Sequence, residues 1–268
     1  MSIPTAWLLD RYYCSKPDFV DGTAHFFGMC RDHVVPGSRI LEVGAGPTNR
    51  CSEFFASLGP VTGVDVSDEV LGNRALSSAA VYDGLTLPFD DAVFDACISN
   101  YVLEHVEHPA RHFQEVARVL KPGGVYCVRT PNLRHYVTAG AKLLPHRMHL
   151  KIANRLRALD ATAHDPYPTF YRANTPGRIR KLAAPSGLEV RDLQMIEKEP
   201  SYGLASPLLF VPMMVYERLV NSWSALAVFR VNIFTVLVNA SPGRSSDFSR
   251  RPVEGNLIEP SGNESRKS

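Results

Sequence analysis

The sequence predicts an α/β fold in which a largely parallel sheet is covered by helices on both faces, and three observations carry that prediction. From Arg39 onward, short β-branched runs alternate with helical patterns. A strand of Ile40, Leu41, Glu42 and Val43 runs directly into Gly44-Ala45-Gly46 and then a helical pattern, a strand-to-helix turn that a Cβ would block. The next strand ends on Asp65, about 20 residues on, where a nucleoside site places a carboxylate.

The strands, in order, are expected at 39–43, 61–65, 79–82, 94–99 and 125–130. Helices are expected between them at 50–58, 68–75 and 109–120, the last with Phe113, Val116, Ala117 and Leu120 on one face. Lys121-Pro122-Gly123-Gly124 halts that helix and turns the chain into the fifth strand. From Val116 to Leu159 there is no Asp or Glu, while Arg134, Lys142, Arg147, Lys151, Arg155 and Arg157 recur among Leu, Ile and Met. That stretch reads as one or two basic amphipathic helices inserted after the fifth strand. A helix at 175–184, a strand at 188–196, a helix at 208–220 and a last strand at 229–238 complete the pattern. The resulting organisation is N-terminal cap helices over 1–38, the α/β domain over 39–240 with a helical lid at 137–173, and a tail at 241–268 too poor in large apolar groups to order itself.

Composition sets the outer bounds. With 45% hydrophobic and 21% charged residues in 268, the chain is a globular protein of one large or two small domains. Residues 1–115 hold 7 basic and 16 acidic side chains, and the remainder 22 and 11, so the halves are about −9 and +11 and the second half is suited to an anionic neighbour. Five cysteines without a C-x-x-C pair suggest neither a disulfide framework nor a zinc site and fit a reducing compartment. The first ten residues lack a signal-peptide pattern. Within 204–238, no window of about 18 residues is free of charge or proline, so no spanning helix is expected. A cytoplasmic protein is the expectation.

The loop carries the chemistry. A dinucleotide site wants a third glycine for the pyrophosphate, and Thr48 and Asn49 stand there instead. Glu42, two residues before the first glycine, would repel a phosphate but pair with an ammonium. S-adenosylmethionine (SAM) has an ammonium, a sulfonium and no phosphate. The plainer alternatives are a tight turn with Asp65 capping the chain from Ser67, and Glu42 capping its own loop.

ILEVGAG at 40–46, VTGVDVS at 61–67, LPFDDAVFDACISNYVLEHV at 87–106 and the RVLKPGGVYCVRTPN run ending at Asn132 resemble the class I SAM-dependent methyltransferases, in particular the small-molecule group that includes ubiquinone-biosynthesis-type enzymes. YPTFYRANTP at 167–176 and FRVNIFTVLVN at 229–239 continue the resemblance more weakly. It implies a Rossmann-like seven-stranded sheet whose last strand enters antiparallel between strands five and six, with a helical insert after strand five. It implies SAM as cofactor, with Glu42, Gly44 and Gly46 at the methionine end and Asp65 on the ribose. By the same resemblance Asp83 and Gly84 lie at the adenine edge, and Asn100 and Tyr101 form the floor beside the sulfonium. Thr48 departs from the pattern. Arg11, Tyr12 and Tyr13 either close over the cofactor or pack on the surface.

A base is needed only if the acceptor must lose a proton. His105, about one helical turn beyond Asn100, is the first candidate, with a structural role as its alternative. His164 is the second, and His135, Asp165 and Tyr171 lie in or beside the insert. His105, His108 and His112 suggest a metal cluster, but Pro109 interrupts it and no metal is expected. Tyr12 and Lys16 mimic a reductase pair but precede the glycine loop. Nucleobase amino-methyltransferases show two prolines after the Asn, whereas Tyr101 follows Asn100 at once, so DNA is not an expected partner. The basic insert is a solvated face, a lid for a phosphate- or carboxylate-bearing acceptor, or a helix resting on an anionic membrane at its inner face. The expected reaction is O-methylation of a hydroxylated small molecule, a glycan or a lipid-linked intermediate. The alternatives are an NAD(P)-dependent oxidoreductase and a non-catalytic membrane- or RNA-associated protein with a degenerate nucleoside site.

Overall fold

The structure, a computed structural model, describes residues 5–143, 167–200, 203–204 and 206–240. Seven strands form one sheet in the order β3-β2-β1-β4-β5-β7-β6. They are β1 (Ile40–Val43), β2 (Val61–Asp65), β3 (Ser78–Val81), β4 (Phe94–Asn100), β5 (Leu120–Pro131), β6 (Leu188–Ile196) and β7 (Asn232–Asn239). The first five pair in parallel, and β7 runs antiparallel to both β5 and β6, as expected. The order reverses between β1 and β4, so a crevice opens outside their carboxyl ends, where ligands bind in such sheets.

Seven helices accompany the sheet among the described residues: α1 (Thr5–Leu9), α2 (Gly22–His33), α3 (Arg50–Ala56), α4 (Pro109–Val119), α5 (Tyr136–Leu143), α6 (Pro176–Ala183) and α7 (Pro207–Ser222). Successive side chains of each strand face opposite layers. Leu41, Cys97, Tyr126 and Leu237 join Phe113 of α4 and Ile179 of α6 in one core. Ile40, Ile98, Cys127 and Phe234 join Phe26 of α2 and Phe55 of α3 in the other. Caps fix where the helices begin: Asp21 accepts from the Thr23 and Ala24 amides, and Asn49 from those of Cys51 and Ser52.

Several boundaries move. The helix expected at 68–75 is a single 3-10 turn, Asp68–Gly72. Asn73 ends it, because its buried amide reaches back to the Gly46 carbonyl and the Ser52 hydroxyl. The last strand starts at Asn232 rather than Phe229, since Ser224–Phe229 forms another 3-10 turn. β5 already begins at Leu120, pairing with Phe94 before the glycine turn. Tyr13 is buried in a π turn after α1, donates its hydroxyl to Glu217 of α7 at 2.9 Å and packs against Phe210, which assigns it to packing rather than to a cover over the cofactor. Most of the expected lid, and the tail, lie outside the described residues. Among the described residues, no helix is long and apolar enough to cross a membrane.

Candidate cofactor site

Backbone geometry at the end of β1 explains the glycines. Gly44 has φ +74° and Gly46 φ +54°, and a Cβ on Gly44 would sit 2.4 Å from the Val102 side chain. The Gly44 and Ala45 amides both donate to the Val64 carbonyl, at 2.8 and 3.2 Å. Asp65 clamps the same turn, accepting from the Gly46 amide through Oδ2 and from the Ser67 amide through Oδ1, each at 3.0 Å. Its capping role is therefore real, and each oxygen retains a second lone pair for a ribose hydroxyl. Thr48 and Asn49 stiffen the loop where a third glycine was absent. Asn49 donates to the Ala45 and Pro47 carbonyls, and Thr48 Oγ1 accepts from the Arg74 amide at 2.8 Å.

Beneath the loop, Glu42 is 4% exposed and its Oε2 has no partner. Burial, reinforced by the charge of Asp65 and opposed by the Ser52 hydroxyl, pushes its pKa up to about 7. At the end of β4, Asn100 donates to Cys51 Sγ at 3.3 Å while its Oδ1 is buried without a partner. Arg129, paired with Asn100 across β4 and β5, lies 4.4 Å over the Tyr101 ring, donates to Thr23 Oγ1 and leaves Nε buried and unanswered. Cys51 lies among these side chains, its thiol pushed up by burial and by Glu42. Two orphaned acceptors and one orphaned donor at neighbouring strand ends fit the ammonium and carboxylate of an amino acid. Neither Cys51 nor Arg129 was among the residues expected from the sequence, because no spacing rule marks them.

Tyr101 takes φ +59° and donates its hydroxyl to Asn232 Oδ1 at 3.1 Å. Asp83, exposed after β3, accepts from the Leu85 and Thr86 amides, which hold its carboxyl below the usual range, and Gly84 turns the chain at φ +77°. The Tyr82 amide donates to the Asp65 carbonyl at 3.0 Å, which keeps this turn beside the clamp. His105 follows β4, with Nδ1 3.0 Å from the Pro168 carbonyl and its ring 6.1 Å from that of Tyr167. The Glu104 carbonyl accepts from the Phe170 and Tyr171 amides, so the 167–171 segment docks back onto the turn that carries His105. His164 and Asp165 lie outside the described residues. His112 is buried against the Tyr126 hydroxyl at 2.7 Å, and no group of three or more His, Cys, Asp or Glu among the described residues is placed to hold a metal.

A second polar cluster occupies the same edge further along. His135 is 2% exposed, has no hydrogen-bond partner on either ring nitrogen, and points Nε2 at Glu197 Oε2 from 3.7 Å. Burial lowers the imidazole to about 4 and raises Glu197 to about 8, so at neutral pH both are uncharged and the contact is not an ion pair. Glu199 also leaves Oε2 unpaired. A cavity of about 20 Å³ is lined by these groups together with Met213 and Val231, room for a single water. A larger open depression of about 700 Å³ lies over Leu85, Pro109 and Arg172, beside the crevice rather than in it.

Residues 41–128 match the model of a methyltransferase domain. The chain is 29% identical over 189 residues to the ubiquinone biosynthesis O-methyltransferase of Paraburkholderia phymatum, covering 63% of this chain and 74% of that one. It is 36% identical over 113 residues to a demethylmenaquinone methyltransferase of Staphylococcus epidermidis, covering 38% and 47%. The chain thus spans about three quarters of the first relative and about half of the second. The crystal structure of the cyclase SpnF superposes with a TM-score of 0.51 at 18% identity over 80% of each chain, a likeness of fold alone. Residues 41–128 are thus a methyltransferase domain. Its cofactor is S-adenosylmethionine.

Proposed function

We propose that the chain methylates a hydroxyl oxygen of a small acceptor, free, carried on a glycan or linked to a lipid. The observation that carries the reading is the pair of orphaned oxygens, Glu42 Oε2 and Asn100 Oδ1, under the glycine loop; an ammonium satisfies both where a phosphate satisfies neither. Asp65 binds the ribose diol, Asp83 and Gly84 flank the adenine, Gly44 and Gly46 keep the backbone clear, and Asn100 with Tyr101 floors the reacting end. When bound, the cofactor supplies a methyl activated by a sulfonium. What the protein adds is position and the exclusion of water.

His105 is the proton acceptor in this reading, with His164 as the second such group from the segment that precedes its docked partner. The acceptor O–H bond breaks toward the imidazole as the oxygen takes the methyl. In this reading the sheet and its flanking helices form the catalytic unit, and α1 and α2 belong to its N-terminal cap. Oxygen as the methylated atom draws support from the relative named as an O-methyltransferase. Calorimetric titration with SAM, S-adenosylhomocysteine and NADH tests the foundation, followed by an acceptor screen starting from hydroxylated quinones. Micromolar binding of the two adenosyl compounds alone supports the reading. NADH binding in their place overturns it for an oxidoreductase, and binding of none of the three overturns it for a degenerate site.

A further inference from the structure

The α7 helix is apolar on two sides. Phe210, Glu217 and Val220 face inward and are buried. On the opposite side Leu208, Val211, Val215 and Leu219 follow helical spacing, and Trp223 continues the stripe at the C-cap. Leu208 is 86% exposed, Val215 58% and Trp223 63%. Single exposed apolar residues need no explanation, but a continuous stripe about 20 Å long does. We infer that this face of α7 is a docking surface for an anionic lipid bilayer.

Charge and residue type choose the bilayer over a second copy of the chain. Between Pro200 and Ala240 the only acid is Glu217, which is buried and engaged by Tyr13, while Arg218 on the same helix is exposed. An apolar stripe flanked by the half-exposed Arg218 and carrying no exposed acid of its own helix suits the boundary between headgroups and acyl chains. The chain has two tryptophans. Trp223 ends the stripe, and Trp7, 50% exposed, lies on α1, the helix that packs against α7 through Leu8 and Phe210; tryptophan favours that same boundary.

The test uses the full chain and vesicles of phosphatidylcholine, alone or with about a third phosphatidylglycerol. The protein sediments with the anionic vesicles, less so as salt rises, and its tryptophan emission shifts to the blue. In W7F the shift persists, because Trp223 reports it from the stripe. Paired V215D and L219D lower the partition about tenfold or more without changing affinity for S-adenosylhomocysteine. Should that pair fail to bind the nucleoside, L208D, at the helix start where an acid is tolerated, gives the same reading. Absence of vesicle binding, equal binding by the variants, or a dimer that the variants dissociate without any vesicle binding would overturn the proposal.

Discussion

The two halves of the sheet's carboxyl edge are built on different plans. Over β1, β2 and β4 the polar groups come largely from one stretch of chain, and local turns hold them: the Asp65 carboxylate and the Asn73 side-chain amide both engage the Gly46 backbone, and the Gly44 amide donates to Val64. Over β5, β6 and β7 the groups come from afar, with His135 meeting Glu197 and Tyr216, and burial keeps them neutral. The first half leaves Glu42 Oε2 and Asn100 Oδ1 unpartnered, as the proposed cradle for a charged ligand requires. The second is a packed polar core whose groups need no charge.

The largest blow to this contrast falls on the clamp. Asp65→Ala removes the acceptor of both the Gly46 and Ser67 amides as well as the proposed ribose ligand, and SAM affinity drops by about a hundredfold or more in calorimetry; retained affinity would break the cofactor assignment. Gly44→Ala comes next. Its positive φ and the 2.4 Å approach to Val102 cost about 1–3 kcal/mol, read as a lowered Tm.

Glu42 sharpens the comparison through pH. Its folded pKa, about 7, lies above the ordinary 4.5, so the folded state holds the extra proton and stability from this group, complete below the ordinary value, is lost as pH rises through about 7. Glu42→Gln therefore stabilises the ligand-free protein above that pH by roughly 1–3 kcal/mol in denaturant titrations, while weakening SAM binding. In the wild type, SAM affinity rises as the carboxylate forms. The smallest effect belongs to the other half. Glu197 is neutral up to about 8, and an amide keeps the oxygen that accepts from the Val231 amide at 2.7 Å, so Glu197→Gln shifts stability at neutral pH by less than about 1 kcal/mol and leaves SAM affinity unchanged.

Legibility follows the same division. The glycine loop, Asp65 and the strand limits at 61–65 and 188–196 were readable because each depends on neighbours a few residues away, and the antiparallel β7 followed from family resemblance. The 68–75 helix was misread because Asn73 prefers partners in a loop and helix 20 to 30 residues earlier. Tyr13 stayed open between a cofactor cover and packing because the partner that decides it, Glu217, is 204 positions away.

By itself the sequence determined the α/β alternation, the glycine turn after β1 and the placing of Glu42 and Asp65 beside it, since periodicity and backbone sterics act over short spans. Only the tertiary structure decided that Arg129 and Cys51 join that pair, that His135 and Glu197 are neutral, and that α7 keeps an apolar face outward. Desolvation decides each of these, and it depends on what distant chain covers a group.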